Sequence, residues 1–393
     1  MPSRMPSLMP SRRAVLGALL AARVGALPAA PASGAPVGPT KAASSSLLAV
    51  DSGTPAGAAA LIAPLAFPSD FGAHPDARTE WWYVTGALQT GDRLWGFQIT
   101  FFRAATHVAG TDASRFAARQ LLFAHGAVSD LAARRLRHDQ RIARSGFGIA
   151  EASVADTALA LRDWRLLRSG GAGASRYAAS AASDSAGFAF DLELAATQPL
   201  LLQGEDGVSR KGPRREQFSR YYSEPQLDVR GTLAVEGRPA AVAGRAWLDH
   251  EWSDAYMDPG AVGWDWIGMN LDDGSALMAF RMRRADGSTL WSGGSHRRVG
   301  GAKRDFADGE VVFTPGRAWT SAASSTRYPV EWQVSTPSGV FGVRALLDDQ
   351  ELDSRTSTGA IYWEGLALLV DGAGGRVGRG YLEMTGYAKR LVL

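Results

Sequence analysis

The chain repeats itself, and that repeat restricts its fold more than any other feature. Set the stretch from Glu80 beside the stretch from Gly263 without gaps. Trp81 then meets Trp264, Tyr83 meets Trp266, Leu88 meets Leu271, Gly91 meets Gly274, Leu94 meets Leu277 and Phe97 meets Phe280. A second match joins the ends of the halves. Gly244-Arg245-Ala246-Trp247-Leu248-Asp249 lies beside Gly378-Arg379-Gly380-Tyr381-Leu382-Glu383, and Tyr222-Ser223-Glu224 lies beside Tyr362-Trp363-Glu364. Two matches in the same order predict an internal duplication. Each copy opens with two aromatic, β-branched runs around a Gly-bearing turn, such as Gln89-Thr90-Gly91-Asp92, which is a hairpin signal.

The expected fold is therefore all-β, with two consecutive lipocalin- or calycin-like antiparallel barrels over residues 64–256 and 257–393. The 45 glycines and 12 tryptophans suit many turns and aromatic strands. Closing each half removes exposed edges and sets its last strand beside its first. A sandwich is the alternative. Further strands are expected at 119–128, 191–196, 227–235 and 241–248, with a long loop over 169–187. Residues 152–167 read as partly helical or as a hairpin at Asp163-Trp164.

The N-terminus reads as a leader. Arg4, Arg12 and Arg13 precede an apolar run from Ala14 to Ala22, and Ala30-Pro31-Ala32 is an A-x-A site. Ser11-Arg12-Arg13 matches a twin-arginine signal. Arg23 leaves the run too short to span a bilayer. Residues 1–35 are expected to be a cleaved signal peptide and 36–63 a flexible linker, placing the mature protein in the periplasm or outside the cell. The leader holds four arginines and no acid, so losing it takes the net charge from +3 to −1. A nearly neutral protein has no electrostatic case for nucleic acid. There is no cysteine, hence no disulfide and no thiolate metal site.

Alternation along a strand puts His250, Leu248 and Trp252 on one face and Asp249, Glu251 and Trp247 on the other. In a closed barrel this strand lies beside Glu80, Trp81, Trp82 and Tyr83, so Glu80 and His250 form a candidate acid–base pair. Asp265, between Trp264 and Trp266, is a candidate buried proton donor or a partner for an arginine. Histidines 74, 107, 125, 138, 250 and 296 show no metal-ligand spacing, and no cofactor fingerprint occurs. Neither metal nor cofactor is expected. Residues 203–212 read as a solvated basic loop leading into an aromatic strand that includes Tyr222.

These residues also carry a resemblance. Phe67-Pro68, Asp70-Phe71-Gly72, His74-Pro75, Arg78-Thr79-Glu80-Trp81-Trp82-Tyr83-Val84-Thr85-Gly86, Tyr221-Tyr222-Ser223, Asp249-His250-Glu251-Trp252 and the run from Tyr381 to Tyr387 together resemble the carotenoid 1,2-hydratase and AttH-like family. The resemblance implies tandem lipocalin-like barrels and an apolar, isoprenoid-like or lipid ligand. Its activity would be adding water to a terminal C=C bond or hydrolysing a lipid. Such hydration needs a proton donor and aromatic faces around a carbocation. Trp252, Trp81, Tyr83, Trp266 and Tyr222 are the candidate faces. His250 and Trp252 match positions that matter in the hydratases. Leu277-Met278-Ala279-Phe280 carries no acid where the resemblance implies a tyrosine and an aspartate, which leaves Asp249 or Asp265 as substitutes. The alternative expectation is a non-catalytic lipid carrier serving an envelope transporter.

Overall fold

The computed structural model describes residues 64–391 except 107, 109–113 and 115. The expected signal peptide, the linker and His107 lie outside these residues. Apart from one turn of 3₁₀ helix at Ser69–Phe71, every named element is a strand.

Thirteen strands make the first sheet. Four long ones form a meander: β1 (Thr79–Thr90), β2 (Arg93–Ala105), β3 (Gln120–Asp130) and β4 (Arg135–Arg144). Shorter strands follow: β5 (Ala150–Ala152), β6 (Ala158–Leu161), β7 (Trp164–Ser169), β8 (Arg176–Ser183), β9 (Phe188–Ala195), β10 (Leu201–Leu202) and β11 (Val208–Arg210). Two long strands, β12 (Phe218–Val235) and β13 (Arg238–Ser253), end the series. The last strand returns to the first: β13 pairs antiparallel with β1, setting Trp82 opposite His250. The sheet curls until its edges nearly meet. Arg141 of β4 lies 4.7 Å over the Trp164 ring of β7, and Ser183 of β8 donates to Asp139 of β4 at 2.6 Å. The result is a near-closed barrel filled by Trp82, Val84, Phe97, Ile99, Phe101, Trp164, Leu248 and Trp252.

The second sheet is built from β14 (Gly263–Leu271), β15 (Ala276–Arg283), β16 (Thr289–Arg297), β17 (Lys303–Phe306) and β18 (Val312–Pro315). A separate pair, β19 (Ala318–Thr320) and β20 (Arg327–Pro329), intervenes. Then come β21 (Glu331–Thr336), β22 (Gly339–Ala345), β23 (Glu351–Ser354), β24 (Ala360–Val370) and β25 (Arg376–Met384). Here too the last strand pairs with the first, β25 with β14. This sheet stays open, which corrects the expectation of a second barrel. Its edge strands β17 and β18 are four residues each and do not pair with one another among the described residues.

Two sequence matches between the halves fall on equivalent places. Asp249 stands opposite Tyr83 in the first sheet, and Glu383 stands opposite Trp266 in the second. The ungapped match fails on the next strand. Phe97 faces Gly86, but Phe280 faces Trp266, so a slip of three residues makes Leu277 the true counterpart of Phe97. Residues 169–187 are not a plain loop. They contain β8, whose alternation of Tyr177, Ala179, Ala181 and Ser183 inward is masked by its small side chains. The hairpin alternative for 152–167 is the one adopted, with β6 and β7 turning at Arg162 in a left-handed conformation (φ 58°).

Both sheets pack through a shared aromatic layer that includes Tyr83, Tyr221, Trp247, Trp266, Phe280, Leu366 and Tyr381. Glycines permit the close approach. A Cβ at Gly96 would sit 2.7 Å from the Tyr381 hydroxyl, and one at Gly268 would collide with Trp266 and lie 3.2 Å from Trp247. A bulge in β12 adds a polar tie. Gln226 (φ 57°) is skipped by the β12–β13 register; its N–H donates to Asn270 at 2.8 Å and its amide donates to the carbonyls of Leu271 and Ser275 at 2.9 Å.

Candidate active site between the sheets

Strand alternation divides the candidate residues into groups in different compartments. His250, Glu80, Trp252 and Tyr222 point into the first barrel. Glu80 is fully buried and fully engaged. It accepts from His74 Nδ1 at 2.7 Å, from the His74 N–H at 3.0 Å, from Arg103 at 2.6 Å and from His250 Nε2 at 2.9 Å. Burial opposes ionisation of Glu80, but hydrogen bonds from His250 and His74 outweigh it and hold the carboxyl far below its usual range. His250 takes the Tyr222 hydroxyl on Nδ1 at 3.1 Å and stacks on Trp82. Burial keeps it neutral by lowering its pKa to about 4. His74, which also reaches Asp70 at 3.3 Å, stacks 3.7 Å from Trp252. Burial works against its charge, yet its two carboxylate partners shift it upward. His74, Glu80 and His250 could offer three ligand atoms to a metal, all within 4.8 Å of one another. The Arg103 guanidinium already supplies the positive charge there, so the donor set fits an ion-paired network better than a cation site.

Asp249, Trp81, Tyr83 and Trp266 face the other way, into a cavity of about 70 Å³ between the sheets. Sequence reasoning missed the remaining walls: Thr100, Phe102, Tyr221, Glu251, Tyr256, Trp264, Tyr362, Glu364 and Glu383. An apolar groove of about 190 Å³ continues outward, sharing Trp81, Phe102, Trp264, Tyr362 and Glu383 and adding Phe123, His125, Ile361 and Leu391. Four carboxyl groups thus meet one aromatic chamber.

Their environments differ. Asp249 accepts from Tyr221 at 2.7 Å, Ser223 at 2.6 Å and the Trp247 indole at 2.6 Å. Burial outweighs these donors and pushes its pKa up to about 7. Glu251 is held by buried Lys211 at 2.8 Å and by Ser219. Burial raises the Glu251 carboxyl and lowers the Lys211 ammonium. Lys211 and Ser209 are buried, so residues 203–212 are not a simple solvated loop.

Glu364 and Glu383 stand directly opposite each other on β24 and β25 and face the same cavity. Burial raises both, and the charge of Glu383 raises Glu364 further. Two like charges in so dry a place cannot both persist, so the pair retains a proton near neutrality. Glu383 accepts from the Trp264 indole at 3.0 Å and Glu364 from Gln98 at 2.6 Å. The buried Tyr83 hydroxyl lies within hydrogen-bonding reach of the Glu364 carboxyl.

Asp265 lines neither compartment, and of its two readings the structure shows the partner for an arginine. Arg281 donates to its Oδ2 at 2.7 Å and Tyr387 to its Oδ1 at 2.9 Å, so it ties strands within the second sheet. The repeat held the signal for what was missed, because it had aligned Asp249 with Glu383.

Fold and site together define a class: a two-sheet β protein whose layers enclose an aromatic cavity bearing carboxyl groups whose ionisation burial disfavours. The chain belongs to the AttH-like family, which matches residues 59–387. It is similar to a crystal structure of a Nitrosomonas europaea protein named for AttH, with 48% identity, TM-score 0.76 and coverage of 83% of this chain and 98% of that one. It shares its fold with kievitone hydratase from Nectria haematococca, at 16% identity and TM-score 0.60, over 83% of this chain and 94% of that one. No curated protein matches the chain.

Proposed function

We propose that this protein takes an apolar isoprenoid or lipid end-on between its sheets and adds water across a C=C bond held there. The observation that carries this is the cross-strand Glu364/Glu383 pair on an aromatic wall. The inner chamber is small, so it suits the end group of a chain whose body lies in the outer groove. The carboxyl O–H of the pair protonates one alkene carbon, forming a C–H bond and leaving a tertiary cation on the other. The rings of Trp81, Trp264 and Trp266 face that charge. Water attacks the cation, a C–O bond forms, and the proton it sheds goes to the Asp249 carboxylate and returns to the pair. The net change is one water added. The likeness to a hydratase fold agrees with this chemistry but carries none of it.

Two further elements complete the proposal. The matched positions of Asp249 and Glu383 support an origin of the two sheets by duplication of a barrel-forming half. The basic and apolar leader of residues 1–35 supports export to the periplasm.

The test is incubation with prenyl alcohols of increasing length, geraniol first, in ¹⁸O-labelled water. The expected product gains one labelled water, and Glu383→Gln removes the gain. Lipid retained in native mass spectrometry with no product from any alcohol would overturn catalysis and leave a carrier, for which the apolar outer groove is suited.

A further inference from the structure

Glu364 is buried behind Glu383, which is half-buried on the wall shared with the outer groove, and a proton donor that turns over must be reloaded. One line of side chains leads outward from it. Gln98 Nε2 reaches both Glu364 Oε2 at 2.6 Å and the Tyr362 hydroxyl at 3.5 Å, so the two sit side by side. Tyr362 meets His125 Nδ1 at 2.8 Å. His125 Nε2 meets Ser357 Oγ at 2.9 Å, and Ser357 meets Gln140 Oε1 at 2.5 Å. Tyr362 and His125 are buried, whereas Ser357 is half-buried.

The direction of every link follows from its outer end. Gln140 Nε2 donates to the Asp353 carbonyl at 2.7 Å, which turns its oxygen toward Ser357. That oxygen only accepts, so the single Ser357 hydrogen goes to Gln140. His125 Nε2 must then carry a hydrogen to donate to Ser357. In a neutral ring that leaves Nδ1 as acceptor, and the Tyr362 hydroxyl donates to it. The Tyr362 oxygen, which Gln98 also reaches, is left facing Glu364 with a lone pair open. All bonds point one way, from the chamber to the surface, as a proton-conducting row requires.

We propose that Tyr362, His125 and Ser357 form the path by which buried Glu364 of the pair exchanges its proton with solvent. It rests on the pair being the proton store named above. His125 is a positioning and relay residue and touches no reacting atom. In one relay cycle Glu364 passes its proton to the Tyr362 oxygen, Tyr362 passes its own to His125 Nδ1, His125 passes its Nε2 proton to Ser357 Oγ, and Ser357 loses one to solvent. Reloading runs the same steps in reverse, with the incoming proton taken from solvent by Ser357. Protons balance and no electron moves.

Infrared spectroscopy of the ligand-free protein separates the two claims. A C=O stretch of a protonated carboxyl, lost in Glu364→Gln, reports the pair. Its isotope shift on transfer to D₂O reports the path. The expected exchange is at least about tenfold slower in His125→Phe and in Tyr362→Phe, a loss of about 1.4 kcal/mol of barrier lowering. If His125→Phe does not fold, Ser357→Ala serves instead, with the same expectation. ¹⁵N shifts of His125 are expected to show the hydrogen on Nε2. Wild-type exchange rates in the variants, or a hydrogen on Nδ1, would overturn the path while leaving the pair intact. No carboxyl band at all would overturn the pair itself, and the path with it.

Discussion

Asp249→Asn gives a direct reading of whether the cavity holds its acid neutral. The carboxyl is fully buried, and its pKa rises from 3.8 in an open chain to about 7 when folded. Between these values the folded state binds the proton and the unfolded state does not. The folded protein therefore loses stability as pH rises through this window. At about 1.4 kcal/mol per pH unit, the loss approaches about 4 kcal/mol from about pH 4 to about pH 7. An asparagine cannot ionise, so the variant lacks this slope. Its amide also mismatches the donors from Tyr221, Ser223 and Trp247, which adds an offset that does not vary with pH. Urea unfolding of both proteins at several pH values measures the difference. The variant is expected to gain on the wild type steadily with rising pH and to level off above about pH 7. Parallel stability curves would show that the three donors keep Asp249 ionised throughout and that burial does not win.

Three other outcomes follow from the same geometry. His250 binds its proton at about 4 when folded against 6.5 unfolded, so wild-type stability falls as pH drops through that window; His250→Asn is expected to remove about 3 kcal/mol of this acid sensitivity in denaturant titrations. Glu80→Gln leaves the buried Arg103 guanidinium unbalanced and is expected to cost about 3–5 kcal/mol in equilibrium unfolding, whereas a surface-like cost below about 1 kcal/mol would refute the network. Gly268→Val drives a side chain into Trp266 and Trp247 and is expected to cost about 1–3 kcal/mol, with loss of tryptophan burial seen by fluorescence.

Much of the fold was legible because it depends on local pattern. The hairpin at Gly91, the alternation along β13 and the return of β13 to β1 follow from period-two burial and from the repeat. What escaped depends on distant geometry. β8 was hidden because Ala and Ser alternate in burial without alternating in hydrophobicity. Closure of the second sheet fails at β17 and β18, short strands that the pattern does not count. The candidate site was half legible. The tryptophans and Asp249 were found, and alternation had already set His250 and Asp249 on opposite faces of β13, but the chamber that Asp249 enters was not foreseen. Glu364 and Glu383 lie far apart from Asp249 in sequence, and only the packing of one sheet on the other brings them together.

The double duty of β13 restricts how this protein can evolve. Inserting or deleting one residue upstream of Asp249 would send the acids into the barrel and the imidazole into the chamber, emptying both at once. Change in this strand must come by replacement, never by length, and each replacement alters one compartment alone.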